Sequence, residues 1–240
     1  MNADLVLADW GADVPVVAFT TTRSGGGSTG TYASLNLAAH VGDDPAAVAA
    51  NRARLGRRLP AQPNWLEQVH GCAVTDARLG GCADAVYSAD PGEPCAVLTA
   101  DCLPVLLCTA DGTEVAAAHA GWRGLAAGVL EATIRKFRAP AGAVLAWLGP
   151  AIGQDAFEVG PEVRAGFCAT DPGAALAFRP GRDDRWHCDL YALARRRLLA
   201  AGVGAVHGGG WCTYRESERF FSFRRDGATG RMASIIWRRS

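Results

Sequence analysis

Between Cys95 and His119 the chain makes three short apolar runs, Cys95–Ala100, Val105–Cys108 and Glu114–His119, the last two joined across Asp111-Gly112. Runs of this kind, punctuated by a turn dipeptide, read as three successive β-strands. The residues with the most chemical content stand at the ends of such runs. They are His70 in Glu67-Gln68-Val69-His70-Gly71, Cys102 in Ala100-Asp101-Cys102-Leu103-Pro104, and His119 in Ala118-His119-Ala120-Gly121-Trp122-Arg123-Gly124. Each has Gly or Pro nearby, and strand ends are where a rigid scaffold presents reactive groups.

Around these strands the pattern alternates. Pro15–Thr22 is an apolar, β-branched run. Asp44–Leu59 reads as a helix, with Asp44 as N-cap, Pro45 in the first position, and Val48, Leu55 and Leu59 on one face. Gly124–Phe137 and Asp189–Ala201 are further predicted helices, and Val144–Leu148 is a buried strand. Val203–Trp211 is a glycine-broken run, while Phe220–Arg224 and Met232–Trp237 are strand candidates flanking Asp226-Gly227. The expectation is one α+β domain spanning residues 1–240, with mixed sheets covered by helices.

Two imidazoles and a thiolate are zinc-ligand types, and three protein ligands leave one coordination position for water or substrate. The spacing matches no compact zinc motif, so a pair of core histidines beside an unrelated buried cysteine is the competing reading.

Composition narrows the class. Lys plus Arg and Asp plus Glu number 24 each, so no global field holds nucleic acid or an anionic membrane; Arg195-Arg196-Arg197 reads as the solvated face of a helix. Met1–Asp9 carries acid where a secretion signal needs basic residues, and no apolar segment is long enough to span a bilayer, which predicts a cytoplasmic protein. Of eight cysteines, at 72, 82, 95, 102, 108, 168, 188 and 212, the seven other than Cys102 are then expected to be reduced thiols of no assigned role.

The words QVHG, TADCLPVLL and AHAGWRG, preceded by TRSGG at 22–26 and SLNL at 34–37 and followed by LGPAIG, CTY and FFSFRRDGATGRMASII, resemble the bacterial laccase-domain family. That family is also called the multicopper polyphenol oxidase or peptidoglycan editing factor family. The resemblance runs in order along nearly the whole chain. It implies a layered α/β/β/α fold, a zinc ion held by His70, Cys102 and His119, and purine nucleosides and phosphate as substrates. The chain departs from the family's usual wording at Gln154-Asp155-Ala156, in the helix near 189–199, and at Arg215 after CTY.

Further candidates surround the triad. Arg23 lies beside glycines of the Ser24–Gly30 loop, a combination suited to phosphate, and Arg123 opens a predicted helix where free N–H groups favour an anion. Trp122 could stack on a purine. Asp101 is the first choice for proton chemistry or for orienting a histidine, joining His70, Cys102 and His119 as the catalytic set. Gln68 and Asn36 are candidates for hydrogen bonds to base or sugar.

Four functions fit in principle. The resemblance favours a zinc-dependent purine nucleoside phosphorylase with adenosine deaminase and methylthioadenosine phosphorylase activity, in which zinc acts as a Lewis acid. A copper-cluster oxidase would need many histidines in His-x-His pairs, and the chain has five histidines and no such pair; adventitious copper is the most that N/S ligands imply. A cysteine hydrolase acting on peptidoglycan precursors would use Cys102 as nucleophile with a histidine base. A structural zinc would need a fourth ligand, for which His187, His207 and Cys212 are available. The oligomeric state is left open by the sequence.

Overall fold

The computed structural model describes residues 5–239; Met1–Asp4, on which part of the N-terminal reading rests, lie outside the described residues. In chain order the elements are β1 (Leu5–Leu7), β2 (Val16–Thr21), α1 (Pro45–Gly56), β3 (Val74–Asp76), β4 (Ala85–Ser88), β5 (Cys95–Thr99), β6 (Leu103–Thr109), β7 (Val115–Ala120), α2 (Trp122–Ala127), α3 (Val129–Ile134), β8 (Val144–Leu148), β9 (Glu158–Val159), α4 (Pro161–Thr170), β10 (Phe178–Pro180), β11 (Trp186–Cys188), α5 (Leu190–Ala200), β12 (Ala205–Gly208), α6 (Phe223–Asp226) and β13 (Met232–Arg238). One sheet has strand order β1-β2-β13-β5 and is antiparallel throughout. A second, with order β12-β8-β6-β7-β4-β3, mixes antiparallel pairs with parallel pairs at its two edges. A small sheet, β10-β11-β9, completes the set.

The two-residue alternation of the strands sorts these sheets into layers. On β6 and β7, Leu103, Val105, Leu107, Ala116 and Ala118 face a core shared with α2, α3, α4 and α5. The alternate residues Leu106, Cys108, Val115 and Ala117 face Val16, Cys95, Val97 and Ile236 of the antiparallel sheet. On that sheet's far side Phe19, Leu98, Ala233 and Ile235 pack with Leu55 of α1. The order is therefore helices, mixed sheet, antiparallel sheet, helix: one α+β domain in four layers. No helix among the described residues is long and apolar enough to cross a membrane.

Asp44 caps α1 as expected, its carboxylate accepting from Ala46 N at 2.9 Å ahead of Pro45. Two expectations need correction. Gly124–Phe137 is not one helix: Gly128, at φ +97°, adopts the left-handed conformation that glycine tolerates and divides it into α2 and α3. Phe220–Arg224 is not a strand either. Phe220 and Phe221 are fully buried between the sheets, and Ser222 then caps α6 by accepting from Arg225 N at 3.2 Å. The Arg195–Arg197 run is individually paired rather than a patch: Arg195 donates to the Val206 and Gly208 carbonyls, Arg196 to Asp171 and Arg197 to Glu131.

Candidate metal centre

Three separate junctions of the fold meet at one point. His119 lies near the end of β7, Cys102 in the connection between β5 and β6, and His70 in the segment before β3. One ligand atom from each falls within a group whose members are all within 4.8 Å of one another, with Cys102 Sγ 3.8 Å from His70 Nε2. The two imidazoles meet edge to face, centroids 4.8 Å apart. Bonds of about 2.0–2.3 Å to a tetrahedral ion separate ligand atoms by roughly 3.5 Å, so this donor set fits a metal with only small side-chain adjustment. Among the described residues no fourth His, Cys, Asp or Glu joins the group. His187 lines a different cleft with Asp155 and Arg215, and Cys212 Sγ accepts from Gly153 N at 3.3 Å.

Close packing forces small residues here. A β-carbon on Gly121 would sit 2.9 Å from Cys102 Sγ and 3.0 Å from His70 Cδ2, and one on Gly124 would sit 2.7 Å from the Gly71 carbonyl. Two ordinary L-residues of the site, His70 at φ +62° and Asp101 at φ +89°, occupy the left-handed region, a strain that surrounding contacts must hold in place.

Those contacts centre on Asp84, a residue the sequence reading missed. Its fully buried carboxylate accepts from His119 Nδ1 at 2.8 Å and from the backbone N–H groups of Val69 (3.2 Å), His70 (2.9 Å) and Gly71 (2.7 Å). The Asp84 carbonyl also accepts from His119 N at 2.7 Å. One side chain thus fixes the orientation of one histidine and the backbone turn that carries the other, leaving His119 Nε2 for the metal. The only signal for it in the sequence is an acidic residue just before the apolar run of β4, which many non-functional residues share.

Burial opposes ionisation of Asp84, but the His119 imidazole and the Gly71 and Val69 N–H groups outweigh it and hold the carboxyl below its usual range. Cys102 and His119 form a coupled pair. Burial would raise the thiol, yet His119, then the hydrogen bond from His70, draw it down; burial would lower His119, yet the Cys102 thiolate and Asp84 raise it. The pair therefore favours thiolate and imidazolium. A metal cation at this point would take the place of the proton that the Cys102 sulfur favours on His119.

Two cavities flank the triad and share His70, Ala100, Cys102 and Phe223. The first, about 280 Å³, has walls of Trp122, Ile152, Phe157 and Leu190, with Asp101, Arg123 and Arg224 around them. Arg123 stacks over Trp122 with its guanidinium carbon 4.4 Å from the ring centroid. The second, about 200 Å³, is bounded by His40, Gln68, Leu98, Thr99, His119 and Arg231.

The remaining candidates are placed as follows. Asp101 borders the first cavity, but its oxygens accept from Thr213 Oγ1 and from Arg224 N, both at 2.6 Å. Gln68 borders the second, with its amide clamped onto Leu98 in both directions, at 2.8 and 2.9 Å. Asn36 is fully buried, and its amide bonds the backbone of Ala38 and Arg231 and the Asp43 carboxylate. That leaves it no free group for a ligand. Arg23 borders neither cavity: it donates to the Ala33 and Ser217 carbonyls at 2.9 Å and lies over Phe221. The loop beside it is pinned by Asn51, whose amide bonds Gly27 N, Ser28 Oγ and the Ser34 and Asn36 carbonyls.

The chain as a whole is similar to known proteins. Residues 17–239 match the model of the family described as multi-copper polyphenol oxidoreductase laccase. A Pseudomonas aeruginosa protein named purine nucleoside phosphorylase is 55% identical over 240 residues, covering 99% of each chain. The Escherichia coli purine nucleoside phosphorylase YfiH is 54% identical, covering 97% of this chain and 98% of its own. Among solved structures, a Neisseria meningitidis protein superposes with a TM-score of 0.95 at 50% identity, covering 99% of this chain and 100% of the other. YlmD from Geobacillus stearothermophilus gives 0.87 at 35% identity, covering 94% and 93%.

Proposed function

This chain belongs to the multi-copper polyphenol oxidoreductase laccase family, and on that footing we propose that it is a zinc-dependent purine nucleoside phosphorylase with adenosine deaminase and methylthioadenosine phosphorylase side activities. The observation that carries this reading is a three-residue group of ligand type, with no fourth such residue among the described residues, opening onto two cavities. His70, Cys102 and His119 would hold the zinc, which would supply Lewis acidity when bound. In phosphorolysis the C1′–N9 bond of the nucleoside breaks with its electron pair going to the purine. An oxygen of hydrogenphosphate bonds to C1′, and the hydrogen it carried ends on the purine nitrogen.

The chain's own residues divide the work. Trp122, Phe157, Ile152 and Leu190 offer a flat apolar slot for the base, and Arg123 and Arg224 border it. Asp101 acts as a positioning residue, holding Thr213 and the start of α6 against the Cys102 connection. Gln68 holds the end of β5 in register with His70. A multicopper cluster does not fit five histidines without a His-x-His pair, despite the family's name.

A second reading, hydrolysis of a peptidoglycan precursor by Cys102, rests on the thiolate-favouring contact with His70 and His119. Products separate the two. Purified protein of measured metal content is given adenosine with and without phosphate. Adenine and ribose 1-phosphate with phosphate, and inosine without it, are the expected products; His119→Ala removes both along with the metal. Full activity in metal-free protein overturns the zinc reading.

A further inference from the structure

The second cavity contains a feature that the reading above leaves unused. Arg231 borders this space. Its Nη1 donates to the Thr229 carbonyl at 2.8 Å and the Gly230 carbonyl at 3.0 Å. Nε and Nη2 have no protein acceptor, and the guanidinium makes no ion pair among the described residues. A half-buried cation keeping one edge of its fork unclaimed is suited to a bidentate anion.

The backbone on both sides of this edge is tied down. Asn36 Oδ1 accepts from Arg231 N and from Ala38 N, each at 3.0 Å, so one buried amide fixes Arg231 and the segment leading to His40. Phe223, 5.8 Å from the guanidinium carbon, stands where the two cavities meet.

Resting on the phosphorylase reading, we propose that this cavity is the inorganic-phosphate subsite, with Arg231 Nε and Nη2 gripping phosphate oxygens and His40 bordering the same space. Displacement at C1′ brings phosphate to the face of the ribose opposite the departing purine. Two cavities meeting at His70 and Cys102, one walled by Trp122 and Phe157 and the other bordered by Arg231, supply those two faces. The subsite lies apart from Arg23.

The test is calorimetric titration of inorganic phosphate into zinc-loaded wild-type protein, Arg231→Gln and Arg231→Lys, with metal content measured in each. Binding to wild type, weakened about 10- to 100-fold in Arg231→Gln and by a smaller factor in Arg231→Lys, which keeps the charge and loses the fork, is the expected result. Arg231→Lys also carries the test if Arg231→Gln fails to fold. Wild-type protein that binds no phosphate, or variants that bind it as tightly as wild type, overturns the proposal. So does an adenosine 5′-monophosphate titration that depends on Arg231 when inorganic phosphate does not, since the site would then read a phosphate ester. Phosphate binding that weakens in the variants, in a protein that cleaves no nucleoside, leaves the subsite standing and removes the phosphorylase reading.

Discussion

His119 and Asp84 share a 2.8 Å hydrogen bond through Nδ1, and the same carboxylate accepts the backbone N–H of His70. Removing its charge while keeping its shape should loosen both histidines together. Asp84→Asn is expected to weaken zinc affinity about 10- to 100-fold, measured by competition with a chromogenic chelator. Wild-type affinity would leave Asp84 without an orienting role.

Cys102 offers a chemical readout of the same group. With metal bound its thiolate is masked; after chelation it is flanked by two imidazoles that favour ionisation. Alkylation by iodoacetamide, followed by peptide mass spectrometry, should be slow at Cys102 in loaded protein and fast in stripped protein. Rapid labelling of the loaded form, or a covalent adduct with substrate, would favour the cysteine-nucleophile reading.

Gly121→Ala places a methyl group against both Cys102 Sγ and His70 Cδ2. The fold, built on cores elsewhere, should survive with a near-native circular dichroism spectrum, while most of the bound metal is lost. A fully metallated variant would show that the ligands can retreat.

Arg23→Ala should act on stability rather than on phosphate. Losing two carbonyl partners and the contact with Phe221 is expected to cost about 1–2 kcal/mol in chemical denaturation. A phosphate KM raised tenfold or more would return Arg23 to the site.

Far from the metal, Glu114 is buried and accepts from Tyr87 Oη at 2.5 Å, Arg138 N at 2.8 Å and Ala139 N at 3.0 Å. Glu114→Ala leaves three donors without that acceptor, so a loss of about 2–4 kcal/mol is expected, with zinc stoichiometry unchanged in the folded fraction. Denaturant melts paired with metal analysis check both halves.

The ligand triad was legible because His70, Cys102 and His119 sit inside distinctive words at strand ends, and strand ends follow from apolar runs and turn residues. Asp84 was not, because its partners come from β7 and the segment before β3, and only sheet pairing brings them within reach. Arg23 and Arg231 show the same limit from opposite sides. Arg23 looked suited to an anion beside glycines, yet carbonyls take its Nε and Nη1 and neither cavity at the triad reaches it. Arg231 stands in a recognisable word, but its unclaimed edge depends on the Thr229 and Gly230 carbonyls taking Nη1 while Asn36 holds its backbone. Periodicity found α1 and α5 within a few residues. It could not see that Gly128 takes a left-handed conformation, nor that Phe220 and Phe221 fill the space between the sheets instead of extending one.

Asp84 and Cys102 act on the same point from two sides of His119, the carboxylate at Nδ1 and the sulfur toward the triad. Burial opposes both charges and their neighbours favour them, so the ligand group already carries the sign that draws in a cation. That same sign repels an arriving anion, and a guanidinium such as that of Arg231, which faces Cys102 and Asp101, is the group placed to offset it.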